Sequence, residues 1–336
     1  MKAFEIRNGF GIDNLTLVER ADLSPGCGHV VVRVRAVSLN YRDLLTVKGL
    51  YNPKIPLPFV PFSDGAGDVV AVGEGVSRVK TGDRVAGIFM QKWLAGELNE
   101  DKAKSALGGG ANGMLAEYVA LHEEGVVHVP DHLSYEEAAT LPCAAVTAWH
   151  AVVESGLRPG ESVLLLGTGG VSLFALQFAL MVGARTIITS RSDEKLAKAK
   201  KLGAMDIINY QSVPDWGDRV RELTNGAGVD LVVEVGGAGT LPQSLRAVRM
   251  GGRISLIGVL TGSGAEINPR PIIMKKVCVQ GIFVGSREMF EAMNRSISLH
   301  KSHPVVDRVF PFEDAREALR YIESGAHFGK ICVRVD

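Results

Sequence analysis

The stretch Glu161–Ala184, "ESVLLLGTGGVSLFALQFALMVGA", carries no charged residue after its first position. Such a run permits two outcomes. One is a bilayer-spanning helix, which needs about 20 apolar residues. The other is a buried strand and a buried helix joined by a turn. The glycines decide between them. Gly167, Gly169 and Gly170 lie within four positions, and each weakens a continuous helix by roughly 1 kcal/mol relative to alanine. The block before them, Ser162–Leu166, has the length of a strand. The segment after them is apolar nearly all round, as a helix between a sheet and its neighbours is. Gly183 closes that helix, and Thr186–Thr189 restarts as a strand. The stretch therefore reads as a βαβ unit rather than a membrane span.

The remaining composition narrows the function classes. A chain of 336 residues is long enough for two domains, and 46% hydrophobic with 22% charged residues is ordinary for a globule. A formal net charge of +0 without a basic run argues against nucleic acid as a main partner. The opening "MKAFEIRNGFGID" lacks the apolar core of a secretory leader. Cys27, Cys143, Cys278 and Cys332 are widely spaced, which supports neither a disulfide framework nor a zinc knuckle. The expectation is a reduced, cytoplasmic protein.

Two architectures follow one another along the chain. Strands are expected at Val163–Leu166, Thr186–Thr189, Asp206–Ile208, Leu231–Val235, Arg253–Ile257 and Val277–Phe283. Helices at Asp193–Leu202 and Asp215–Thr224 lie between them. This alternation predicts a doubly wound parallel sheet. In the first 120 residues, "HVVVRVRAVSLN" alternates with the period of a half-buried strand, and short glycine-bounded strands follow. That pattern predicts a β-barrel-like domain. The C-terminal "FPFEDAREALRYIESGAHFGKICVRVD" predicts a helix and a strand returning to it.

Taken in order, "GAGDVVAVGEGV…TGDRV" (Gly65–Val85), "GMLAEYV" (Gly113–Val119), "LPCAAVTAW" (Leu141–Trp149), "GTGGVS" (Gly167–Ser172), "KLGA" (Lys201–Ala204) and "GKICVRV" (Gly329–Val335) resemble the medium-chain dehydrogenase/reductase superfamily. The resemblance covers essentially the whole chain. It implies an α/β chain: a GroES-like β-barrel domain at 1–122 and 286–336, and a Rossmann dinucleotide-binding domain at 123–285. It also implies hydride transfer to or from a nicotinamide.

A pyrophosphate needs backbone N–H donors at a helix N-terminus and no side chain in the way. Gly167, Gly169, Gly170 and Val171 provide that turn, with Ser172 where the fingerprint usually has its third glycine. The choice of nicotinamide turns on the end of the second strand, "TIITSRSDEK". Ser190 stands where NAD-using relatives carry aspartate, and Arg191 follows it. Lys195 and Tyr210 match positions that contact the 2′-phosphate in NADPH-using relatives. These residues predict NADPH, with Asp193 read as capping the next helix. The resemblance adds Thr147 as a nicotinamide contact. Ile257, Gly258, Val259, Phe283 and Val284 are expected to line the cofactor cleft.

Many relatives hold a catalytic zinc, which takes three protein ligands and an open position. Here the family's first cysteine position reads Asn40, and its histidine–glutamate pair matches Ser63-Asp64. Only Cys143 matches a ligand position. The structural zinc lobe would need four clustered cysteines, and "MQKWLAGELNEDKAKSALGGGANG" contains none. Both sites are therefore expected to be missing, and no metal is expected. Without a Lewis acid, simple alcohol oxidation is disfavoured. Zinc-free members of the family include quinone reductases and enone or enoyl-thioester reductases.

Asn40 and Tyr51 are the expected catalytic residues. Asn40 either donates to the oxygen where charge develops, orients the nicotinamide, or simply ends a strand. Tyr51 either hydrogen-bonds the substrate, delivers a proton, or packs beside Pro53. Tyr41 is the less favoured tyrosine. The segment 91–112 is either a lid over the substrate or a surface helix, with the glycines at 108–110 read as a hinge. The reading is an NADPH-dependent reductase of quinones or α,β-unsaturated carbonyls, acting on a small molecule. Its rivals are an enoyl-thioester reductase and a non-enzymatic NADPH-binding or sensing protein. The apolar Val277–Gly285 is expected at a sheet edge, giving a homodimer or a dimer of dimers.

Overall fold

The computed structural model describes residues 1–261, 264 and 266–335. Among these no helix is long and apolar enough to cross a membrane. The chain divides into two compact units, Met1–Val146 with Gly285–Asp336, and Thr147–Val284.

The second unit is a six-stranded sheet. Its spatial order is Asp206–Asn209, Arg185–Ser190, Ser162–Leu166, Val229–Glu234, Val248–Leu256 and Cys278–Gly281. Every neighbouring pair is parallel. The first strand in sequence lies inside the sheet, and the strand order reverses between it and Val229–Glu234. This is the doubly wound arrangement that the alternation predicts. Val163, Leu164 and Leu165 are fully buried, because strands covered on both faces by helices have no solvated side. The uncharged helix Gly170–Val182 ends at Gly183, whose φ of 82° is the left-handed cap that glycine adopts without strain.

Several strand ends differ from expectation. The expected strand Arg253–Ile257 begins earlier, at Val248, and the expected Val277–Phe283 shortens to Cys278–Gly281. The early start follows a bulge, where the pairing with Val229–Glu234 shifts register between Val229 and Leu231.

The first unit is built around one long strand, His29–Leu39. One of its edges pairs with Asp64–Val72, and the other is shared between Tyr118–His122 and Lys330–Arg334. The sheet continues to Val306–Pro311 on one side and to Arg84–Gly87 and Val126–His128 on the other. The C-terminal helix Ala315–Ser324 and its strand do return to this unit. Residues 123–146 also belong to it, in place of the expected boundary after residue 122. The reason is local: Val126–His128 pairs with Arg84–Gly87, and the Cys143 N–H donates to Asp64 Oδ2 at 3.1 Å.

Within the second unit, Cys278–Gly281 is the last strand of the sheet and is largely exposed. A paired edge satisfies groups that otherwise face water. Light scattering is expected to give a mass two or four times that of the 35.9 kDa chain. A mass near one chain at all working concentrations would refute that pairing.

Candidate functional site

In the first unit a buried polar cluster forms where three segments meet. Asn40 follows the strand His29–Leu39 and is the N-cap of the helix Tyr41–Val47. Asp43 in that helix accepts from the Asn40 N–H at 2.8 Å. Lys330 opens the strand Lys330–Arg334, whose antiparallel register sets Ile331 against Leu39. Its ammonium donates to Leu39 O and to Asn40 Oδ1, each at 2.6 Å. Asn40 Nδ2 lies 3.4 Å from Ser63 Oγ, and the Ser63 hydroxyl donates to Asp64 Oδ1 at 2.6 Å. Lys330 is 4% exposed and Asp64 0%.

Burial sets the acid–base character of this cluster. It pushes the Asp64 carboxyl up to about 6, against the pull of the Lys330 charge, and it also raises Asp43 despite Arg42 beside it. Burial and the nearby Asp64 drive the Cys143 thiol far above the ordinary thiol range, so Cys143 stays neutral.

Tyr51 is 43% exposed, and its ring stands 5.1 Å from the Arg42 guanidinium. Arg42 faces the Phe89 ring at the same distance and donates to Leu107 O at 3.0 Å and Gly108 O at 2.8 Å. One cation thus ties the Tyr51 loop to the loop at 107–108. The sequence reading passed over Arg42, because nothing in "NYRDLL" separates a structural arginine from a solvated one. Tyr41 is comparably exposed.

The segment 91–112 carries one short helix, Glu100–Lys104, with isolated bridges from Met90 to Ala106 and from Leu107 to Ala111. The glycines at 108–110 lie in close backbone contact with their neighbours. A Cβ on Gly108 would press on the Phe62 backbone, and one on Gly110 on Lys104 O, so these glycines permit close backbone packing. The segment helps wall a cavity of about 920 Å³ with Lys92, Leu94, Lys104, Leu107 and Leu121, which shares no residue with the Asn40 cluster.

In the second unit, the turn after Ser162–Leu166 is open. Gly167 has φ 75°, and a Cβ on Gly167 or Gly169 would meet nothing within 4 Å. Gly169 therefore leaves space over the helix N-terminus that the chain's own packing does not require. That terminus is positive and rich in N–H donors, so the turn fits a phosphate. Gly170 and Val171 begin the helix. Ser172, in place of the third glycine, is buried and donates to Leu166 O at 2.6 Å, tying helix to strand.

Ser190 is the buried last residue of its strand. Its Oγ accepts from Ser192 N at 3.3 Å, and its carbonyl accepts from Tyr210 N at 3.1 Å. Arg191 beside it is exposed. Ser192, rather than the expected Asp193, caps the next helix, accepting from Lys195 N at 3.3 Å. The physical cause is position: Ser192 has the extended backbone of an N-cap, while Asp193 is already helical and accepts from Asn209 Nδ2 at 2.8 Å. Ser190, Arg191, Lys195 and Tyr210 thus gather around one strand end.

Thr147 is buried, Ile257 and Gly258 follow directly on Val248–Leu256, and Val259 is half-exposed. Phe283 is 41% exposed, while Val284 is buried with φ 58°, a costly backbone for a β-branched residue. The Val284 carbonyl is 2.7 Å from His150 Nδ1. A further residue escaped the sequence reading. Glu234 is fully buried at the end of its strand, beside Ser162–Leu166. Its Oε1 accepts from Gly236 N at 2.8 Å, Gly237 N at 3.1 Å and Thr240 Oγ1 at 2.6 Å, and its Oε2 accepts from Ser244 Oγ. It shapes the loop at the switch point of the sheet. The signal was available in "EVGGAGT", a carboxylate leading into a glycine turn.

These arrangements have counterparts in known proteins. Residues 26–131 match the alcohol dehydrogenase GroES-like domain, and residues 170–298 match the zinc-binding dehydrogenase domain. A zinc-type alcohol dehydrogenase-like protein of Schizosaccharomyces pombe is 48% identical over 92% of this chain and 91% of its own length. The chain belongs to the medium-chain dehydrogenase/reductase superfamily. A quinone oxidoreductase-like protein 2 of Mus musculus is 28% identical, covering 94% of this chain and 88% of that one. A solved NAD-dependent alcohol dehydrogenase is 36% identical, with a TM-score of 0.92 and full coverage of both chains. Members of the superfamily bind a nicotinamide cofactor, and the chain is an oxidoreductase of this type.

The zinc of many family members does not fit the residues present. Among the described residues no three His, Cys, Asp or Glu side chains are grouped to hold a metal ion. At the family's ligand positions stand an amide, a hydroxyl beside a carboxylate, and a thiol that burial keeps protonated. An amide and a hydroxyl are not the histidine, cysteine or carboxylate donors that zinc takes, and the Lys330 ammonium bonds the amide oxygen.

The sign of the Asp64 shift sets a pH dependence. Its folded value, about 6, exceeds the reference of 3.8, so the folded state holds the proton more tightly. Ionising Asp64 costs the fold roughly 3 kcal/mol, and stability falls as pH rises between these values. Asp64→Asn removes this dependence. Urea denaturation is expected to show Asp64→Asn gaining on the wild type from pH 4 to pH 7. Parallel stability curves would refute it.

Proposed function

We propose that this protein is an NADPH-dependent, metal-independent oxidoreductase that reduces quinones or α,β-unsaturated carbonyl compounds. The observation that carries the reading is the Asn40 cluster, where an amide, a hydroxyl beside a carboxylate and a thiol match the positions that other family members use to hold zinc, and a buried ammonium bonds the amide. A site of this kind has hydrogen-bond donors but no Lewis acid. It suits a substrate that is already electrophilic, where positioning and donors suffice.

A bound nicotinamide supplies the hydride. The residues that would hold it are the Gly167–Val171 turn, with Ser190, Arg191, Lys195 and Tyr210 toward a 2′-phosphate. Thr147, Ile257, Gly258, Val259, Phe283 and Val284 would line the rest. The buried Ser190 with Arg191 beside it supports NADPH, since a carboxylate here would select the free 2′-hydroxyl. Asn40 donates an N–H to the substrate oxygen as negative charge develops on it. Tyr51, on the exposed loop beside Arg42, provides the proton that an enolate needs.

Steady NADPH oxidation against a panel of quinones, enones and enoyl thioesters tests the reading. No turnover with any of them would sink it. Arg191→Ala is expected to weaken NADPH binding by about 1–3 kcal/mol and to leave NADH nearly unchanged. Equal losses for the two cofactors in a titration would show that Arg191 does not read the phosphate.

Tyr51→Phe keeps the ring and removes the hydroxyl. It is expected to slow enone reduction more than quinone reduction, because a reduced quinone can take its protons from water. An unchanged ratio of the two rates, with both intact, would make Tyr51 a packing residue.

A further inference from the structure

Lys330 is 4% exposed, and its ammonium makes two 2.6 Å hydrogen bonds, to Leu39 O and to Asn40 Oδ1. An ammonium only donates. It therefore selects which end of the Asn40 amide faces it: the oxygen turns to Lys330 and the NH2 group toward Ser63. Beyond Asn40 the bonds run in one direction. Asn40 Nδ2 donates to Ser63 Oγ at 3.4 Å, and the Ser63 hydroxyl donates to Asp64 Oδ1 at 2.6 Å. The Cys143 N–H fills Asp64 Oδ2 at 3.1 Å. A chain from a buried cation to a buried carboxylate polarises each bond along it. Ser63 takes at most one of the two Nδ2 hydrogens, at long range, and the Asp64 carboxylate also draws on the Asn40 amide.

We infer that Lys330 is a positioning residue for Asn40: its ammonium locks the amide with Nδ2 presented as the donor to the substrate oxygen, and it polarises that donor. The inference rests on the proposed role of Asn40 toward substrate. It assigns to a lysine at the far end of the sequence the part of a fixed internal cation.

The test is a cycle of variants, read in turnover on the best substrate of the panel. Asn40→Ala is expected to lower kcat about 10- to 1000-fold. Lys330→Met in the wild-type background is expected to lower kcat by at least ~10-fold, with KM for NADPH within ~2-fold. In the Asn40→Ala background the same change is expected to alter kcat by no more than ~2-fold, since the amide it orients is gone. A purely structural lysine would lower kcat equally in both backgrounds, and that result overturns the inference alone. Intact turnover in Asn40→Ala overturns the proposed role of Asn40 and this inference with it, while the substrate panel alone decides the reductase reading.

Asn40→Asp supplies a second readout. It keeps an acceptor for Lys330 and lacks the Nδ2 donor, so it is expected to be as slow as Asn40→Ala. Wild-type turnover in Asn40→Asp would overturn the inference. Should Lys330→Met fail to fold, Lys330→Arg, which keeps the charge, is carried through the same two backgrounds, and a loss that persists undiminished without Asn40 overturns the inference.

Discussion

A buried ammonium needs acceptors, and the first unit provides two for Lys330. The antiparallel register that sets Ile331 against Leu39 places the lysine beside the end of the long strand. There the Leu39 carbonyl and the Asn40 side chain meet it. Leaving such a charge unpaired would cost several kcal/mol. The pairing of Lys330–Arg334 with His29–Leu39, the capped start of the helix at Tyr41 and the approach of Ser63-Asp64 therefore support one another.

The second unit depends on a different constraint. Its apolar strand and helix bury almost everything they carry, and the turn between them is left with open space. Donors gather at that turn because the first N–H groups of a helix have no partners within it. Ser172 shows how a departure from the glycine fingerprint is absorbed: its hydroxyl bonds the Leu166 carbonyl and holds the helix to the strand. Glu234 does comparable work on the neighbouring strand, gathering four donors from the turn after it and from the following helix.

Arg42 links the two sides of the first unit's polar region. It is paired with Asp43, it faces the Tyr51 and Phe89 rings, and it bonds two carbonyls of the 107–108 loop. Tyr51 is thus held on a loop whose base is fixed, although its own ring remains half-exposed. The glycines at 108–110 serve the same packing by letting backbones approach where a side chain would collide.

The sequence by itself determined the elements whose cause is local. The βαβ unit around Gly167, the doubly wound order, the strand end at Ser190 and the return of the C-terminal strand were all legible. Periodicity, glycine placement and unbroken apolar runs act over a few residues at a time. Asn40 and Tyr51 could be singled out by their positions in motifs. What the sequence did not disclose is who stands beside them. That residues 123–146 join the first unit depends on the pairing of Val126–His128 with Arg84–Gly87. That Ser192 rather than Asp193 caps a helix depends on one backbone angle. That Lys330 meets Asn40 depends on a strand register spanning 290 positions of chain. Register, burial and charge pairing are properties of surfaces brought together, and only the tertiary structure decides which surfaces meet.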